Sequence, residues 1–221
     1  MTTVLFIHGL ESGPRGAKAR SLESAGFKVV ALQMPSNRRA ILSDPFTWLP
    51  VLAGIIALAL STRGGVLFVA VTAVLLVLSS PAMRVAITRR MWKRSLDVQR
   101  EALKANPDID VVMGSSFGGA VALELLACGE WKGPTVLLCP AHRLLAERAK
   151  LPPSKLPEPL PAKVLVVHGT RDETVPLEHS RELVEGTDAR FIEVDDMHRL
   201  AATTPEQFKA WIDSVHSTDA V

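Results

Sequence analysis

Six short apolar runs recur along the chain: Val4–Ile7, Lys28–Leu32, Ile109–Met113, Thr135–Leu138, Val164–Val167 and Phe191–Val194. Each is almost continuously apolar and rich in Val, Ile and Leu, the pattern of a strand covered on both faces. Between them lie segments with helical spacing. Ala17–Ala25 stops at Gly26, Trp92–Ala105 stops before Asn106-Pro107, and Gly118–Leu126, Leu177–Leu183 and Pro205–Val215 complete the set. Strands alternating with helices predict right-handed crossovers and a parallel sheet, hence an α/β three-layer fold of about six strands. No internal repeat is present. Residues Leu151–Pro161 hold five of the fifteen prolines, which predicts an extended connector rather than a helical lid.

One stretch breaks this rhythm. From Gly54 to Leu78 the only charge is Arg63, and the surrounding segment 46–83 is inserted between the second strand and the helix leading to the third. Pro45–Thr62 and Gly65–Ser80 are apolar on all sides. At ~1.5 Å per residue they would form helices of roughly 27 and 24 Å. A bilayer core is ~30 Å thick, so each is short for spanning without its flanks. Trp48 and Trp92 suit a membrane interface. Arg38 and Arg39 before the block, and Arg84, Arg89, Arg90, Lys93 and Arg94 after it, suit anionic headgroups. The expectation is one domain over 1–221 with an apolar helical hairpin at 46–83, serving as a membrane anchor. The alternatives are a lid and a homodimer contact.

Composition adds exclusions. The formal charge of +2, from 25 basic and 23 acidic residues, is too balanced to predict a nucleic-acid partner. Cys128 and Cys139 have neither metal-ligand spacing nor a disulfide pattern and read as small core residues in a reducing compartment. The chain starts on a strand with no basic, signal-like leader. The expected location is therefore the cytoplasmic face of a membrane, or the cytoplasm itself.

Chemistry concentrates after the third strand, in VVMGSSFGGA. Gly114-Ser115-Ser116-Phe117-Gly118 fits G-x-S-x-G, a strained strand-to-helix turn that presents a nucleophile. Only Ser116 has glycine at both −2 and +2, so Gly114 and Gly118 are the glycines of the turn. A serine hydroxyl needs a base, and the base needs an acid to orient it. Asp172 follows the fifth strand in VVHGTRDETVP, and His198 follows the sixth in FIEVDDMHRL. The order Ser, Asp, His is the one expected after such a turn, and both loops open on one edge of a parallel sheet, where ligands bind. Glu173, Asp195 and Asp196 compete for the acid. His8, His142, His168, His179 and His216 compete for the base, with His168 disfavoured because it precedes Asp172. Two backbone N–H groups are needed for an oxyanion. Phe117 supplies one, and Leu10, in FIHGLESGP, supplies the other, with Glu11 as second choice.

With HGL, GSSFG and the two loops in order, the chain resembles the alpha/beta-hydrolase superfamily over about residues 2–45 and 92–216. The run His8–Ala19 is similar to that of compact bacterial serine esterases with little or no cap. The resemblance implies that Ser116 attacks an acyl carbonyl, that His198 takes its proton, and that Asp172 holds His198. It implies no metal and no organic cofactor. A serine nucleophile also argues against haloalkane and epoxide chemistry. The expected activity is hydrolysis of carboxylic esters or thioesters with lipophilic acyl groups. The alternative is a non-catalytic lipid-binding or membrane-scaffold protein on the same fold.

Overall fold

In the computed structural model the apolar runs become β1 (Thr3–Ile7), β2 (Lys28–Val30), β3 (Val111–Ser115), β4 (Thr135–Leu138), β5 (Val164–Gly169) and β6 (Arg190–Val194). Residues 1–10, 12–36 and 80–217 are described, with isolated positions between 45 and 77. The strands form one sheet in the order β2-β1-β3-β4-β5-β6, with every pair parallel. The four strands β1, β3, β4 and β5 are buried along their whole length, which accounts for their uninterrupted apolar character.

Helices cover both faces. The described ones are α1 (Ala17–Ser24), α2 (Pro81–Ala105), α3 (Phe117–Ala127), α4 (His142–Ala149), α5 (Leu177–Val184) and α6 (Pro205–His216). One face packs Ala19 and Leu22 of α1 against Phe208, Trp211, Ile212 and Val215 of α6. The other joins α2 through α5 through residues such as Leu96, Val121, Leu125, Leu145 and Leu183. The predicted three-layer α/β architecture is the observed one.

The differences are local. The helix expected from Trp92 starts eleven residues earlier, at Pro81, where the Ser80 hydroxyl accepts a bond from the Met83 amide at 3.2 Å and proline occupies the first turn. Trp92 is 7% exposed and belongs to the core, so it does not serve a membrane interface. Arg89 likewise has a structural task. Its guanidinium donates to the carbonyls of Ala149 (2.7 Å) and Lys150 (3.0 Å) at the end of α4, where a cation complements the helix dipole. Cys139 is buried, but Cys128 is exposed and not a core residue. Most of the predicted hairpin at 46–83 lies outside the described residues. Among the described residues, no helix is long and apolar enough to cross a membrane.

Candidate active site

The turn after β3 is built by sterics. A side chain at Gly118 would overlap the carbonyl of Ile7 in β1, and one at Gly114 would overlap the backbone of Gly118 and come within 2.8 Å of the Ala122 methyl. Glycine at both positions lets α3 approach the sheet closely enough to fold back over β3. Between them Ser116 adopts φ 56° and ψ −116°, a region costly for a residue with a side chain. It occupies the N-cap of α3 yet makes no side-chain capping bond. Its hydroxyl is therefore directed away from the helix.

That hydroxyl lies 2.8 Å from His198 Nε2, and His198 Nδ1 lies 2.6 Å from Asp172 Oδ2. Three residues from the ends of β3, β5 and β6 thus form one hydrogen-bonded line. The carboxylate fixes the tautomer. Nδ1–H donates to Asp172, which leaves Nε2 to accept from Ser116. The Asp172 carboxylate is itself fully engaged. Oδ1 accepts from the amides of Thr174 (2.8 Å) and Val175 (2.9 Å), and Oδ2 lies 3.2 Å from His168 Nε2. Burial alone would raise its pKa. The bonds from His168, His198 and the two amides outweigh burial and hold it well below the ordinary carboxylate range.

His168 was disfavoured as a base on chain order, and it does occupy a different place. It is completely buried, with Nδ1 2.7 Å from Ser180 Oγ and Nε2 3.0 Å from the Val175 carbonyl. Two acceptors face Nε2, so that nitrogen carries the proton and the Ser180 hydroxyl donates to Nδ1. His168 thereby clamps the loop that carries Asp172. The signal for it in the sequence was a strand-ending histidine four residues ahead of the acid.

The competing acids and His8 take other places. Asp196 shapes the His198 turn, accepting from the amides of Met197 (2.7 Å) and Ala202 (2.9 Å). Asp195 pairs with Arg171 at the surface, and Glu173 is exposed. His8 is buried; Nδ1–H donates to the Gly9 carbonyl at 2.8 Å, and Nε2 accepts from the Met34 amide at 3.4 Å. It pins the loop after β1, which brings Gly9 beside Ser116 and Leu10 into the wall of the same cavity. Phe117 opens α3 directly after Ser116. Glu11 lies outside the described residues.

Among the described residues, one group offers metal-ligand spacing: Cys139, His168 and Asp172, with ligand atoms within 4.8 Å of one another. Its chemistry suits a hydrogen-bonded cluster better than a metal site. His168 Nε2 is already shared between Asp172 Oδ2 and the Val175 carbonyl, and both Asp172 oxygens already accept hydrogen bonds, while burial, followed by the Asp172 charge and hydrogen bond, pushes the Cys139 thiol up to about 12. A cavity of about 730 Å³ opens over Ser116 and His198, with Phe6, Leu10, Leu200 and Phe208 among its apolar walls.

Residues 86–209, more than half of the chain and inclusive of Ser116, Asp172 and His198, match the family described as Serine hydrolase (FSH1). No curated protein matches the chain. Among solved structures, a protein described as a hydrolase of the alpha/beta superfamily from Xanthomonas campestris pv. campestris is 20% identical. The alignment covers 97% of this chain and 98% of that one, with a TM-score of 0.58. An esterase of Pyrococcus furiosus is 17% identical over 98% of this chain and 84% of its own, with a TM-score of 0.54. A dienelactone hydrolase of Anabaena variabilis, also 17% identical, is covered over 88% of its length by 98% of this chain, with a TM-score of 0.51. At such identities the likeness is one of fold. The family match and these structural neighbours lead to one assignment: the chain belongs to the serine hydrolase (FSH1) family and has the alpha/beta-hydrolase fold.

Proposed function

We propose that the protein cleaves carboxylic esters or thioesters through an acyl-enzyme on Ser116. The observation that carries this reading is the continuous line Ser116–His198–Asp172 at 2.8 and 2.6 Å, headed by a serine with positive φ. His198 Nε2 takes the Ser116 proton as Oγ attacks the acyl carbon. The imidazolium is stabilised by Asp172, and the developing oxyanion is held by the amides of Phe117 and Leu10. His198 then gives its proton to the leaving alkoxide or thiolate. Water, activated by the same imidazole, attacks the acyl-enzyme and releases the acid. The apolar walls of the cavity suit a lipophilic acyl group.

Hydrolysis of a panel of short and medium acyl esters and thioesters tests the reading. Ser116→Ala is expected to lower kcat by about 10⁴-fold or more, and activity persisting in that variant overturns it.

A contact between segment 46–83 and membrane lipid is part of the same proposal. It is supported by the described side chains there: Trp48, Leu52, Ile55, Ile56, Val69, Val71 and Val77 are between 45% and 63% exposed. Exposed apolar surface of this kind marks an interface, and Arg84 and Lys93 are exposed on the helix that follows.

A further inference from the structure

The polar side of the cavity over Ser116 is cationic. Lys18 comes from α1, Arg148 from the last turn of α4, and Arg199 from the loop after β6, next to His198. No described aspartate or glutamate lines it. Several cations elsewhere on the surface are paired: Lys28 with Asp108, Arg100 with Asp97 and Glu130, Arg171 with Asp195, Arg181 with Glu178 and Glu193. Lys18 and Arg148 form no ion pair with any described carboxylate.

The Lys18 ammonium is held within the catalytic loop, donating to the Arg199 carbonyl at 2.6 Å. Lys18 is half-buried, and burial, the largest influence on it, lowers its pKa. Of the two acids of that loop, Asp195 pairs with Arg171; Asp196 acts on Lys18 through its charge, a smaller influence than burial, and its oxygens accept from the amides of Met197 and Ala202. Among the described residues the cleft is walled by apolar groups and carries one sign of charge, an arrangement that concentrates the field on whatever enters it.

We infer that the substrate carries a carboxylate or phosphate group in addition to its ester or thioester, and that Lys18 and Arg148 form the subsite for it. The inference rests on the acyl-enzyme reading above and narrows it. The preferred substrate is amphiphilic, with its hydrocarbon against Phe6, Leu200 and Phe208 and its anion on the cations. Charge-assisted hydrogen bonds to an oxyanion suit both an ammonium and a guanidinium.

Matched ester pairs test this. One pair is 1-naphthyl butyrate and 1-naphthyl hemisuccinate, with the carboxylate on the acyl side. The other is monobutyrylglycerol without and with a 3-phosphate, on the alcohol side. In at least one pair the anionic member is expected to show kcat/KM about tenfold or more above its neutral partner. Most of the gain should lie in KM, and it should shrink as salt is raised. The pair that shows it tells which side of the substrate bears the anion. Lys18→Met and Arg148→Gln should each lower the anionic-to-neutral ratio, and Lys18→Arg should retain it. A ratio does not depend on how much of the enzyme is folded. Equal or better turnover of the neutral members in both pairs, with Ser116 still labelled by a fluorophosphonate, overturns the anion subsite alone. Loss of that labelling overturns the parent reading instead.

Discussion

His168 touches no reacting atom, yet it is tied to the two parts of the loop that must stay fixed. Its Nε2–H faces Asp172 Oδ2 at 3.2 Å and the Val175 carbonyl at 3.0 Å. We expect it to be a positioning residue. His168→Ala should lower kcat on the order of 10- to 100-fold, the cost of a small misplacement of the acid, with little change in KM. His168→Gln, which keeps a donor, should recover part of the loss. A pH readout separates this from a general packing defect. The bond from His168 helps depress the pKa of Asp172, so its stabilising effect is fully present above the ordinary carboxylate value, about 3.9. It is lost only as pH falls further, through the depressed folded-state value well below that range, where Asp172 becomes protonated in the folded state. The stability difference between wild type and His168→Ala, from urea unfolding, should therefore hold steady from neutral pH down to about 4, the ordinary carboxylate value, and narrow only in more acid solution. A difference that stays constant there would contradict the role. The reacting groups were legible in the sequence because each follows a strand in a fixed order. His168 was not, because chain order says nothing about a side chain that folds back onto its own loop, as Asp172 N–H does in bonding the Gly169 carbonyl.

At the scale of elements, legibility followed burial. The four strands covered on both faces leave an unbroken apolar signature, the partly exposed β2 and β6 are also apolar enough to read, and all six appeared within two residues of where they were expected. Helix boundaries were poorer where two signals overlapped. The first turns of α2 were hidden in the tail of the apolar segment, although Ser80-Pro81 is a usable start signal. The eight-residue α4 was missed because it lies between Pro140 and the proline-rich connector. The start of α6 tests whether such local signals carry energy. Thr204 accepts from the Gln207 amide at 3.3 Å, and the Gln207 side chain accepts from the Thr204 amide at 2.8 Å, closing a capping box. Thr204→Ala should destabilise the protein by about 1 kcal/mol, read from the urea midpoint. No shift in that midpoint would show that packing of Phe208 and Trp211 against the sheet holds the helix start without its cap.

The whole molecule presents a polar hydrolase domain with an apolar segment inserted ahead of the nucleophile. An interfacial contact buries apolar side chains and places nearby cations over anionic headgroups. The full chain is therefore expected to sediment with vesicles containing phosphatidylglycerol more than with pure phosphatidylcholine, and less at high salt. Glutamate at Leu52 and Ile55, both more than half exposed, should weaken it. Protein that remains in the supernatant and sediments as a dimer would contradict lipid contact and assign that face to a second copy. The sequence showed that this segment was foreign to the α/β rhythm. It could not show that Trp92 and Arg89 beside it belong to the fold, since a core tryptophan and an interfacial one look alike in a linear pattern.

The central claim, that Ser116 is the nucleophile held by His198 and Asp172, is tested most directly by a fluorophosphonate and mass spectrometry. One equivalent of probe should add to the intact chain, and digestion should place it on the peptide containing Ser116. Asp172→Asn should label at least 10³-fold more slowly. Absence of an adduct on the folded protein, or an adduct on Ser115 or any other residue, would contradict the account.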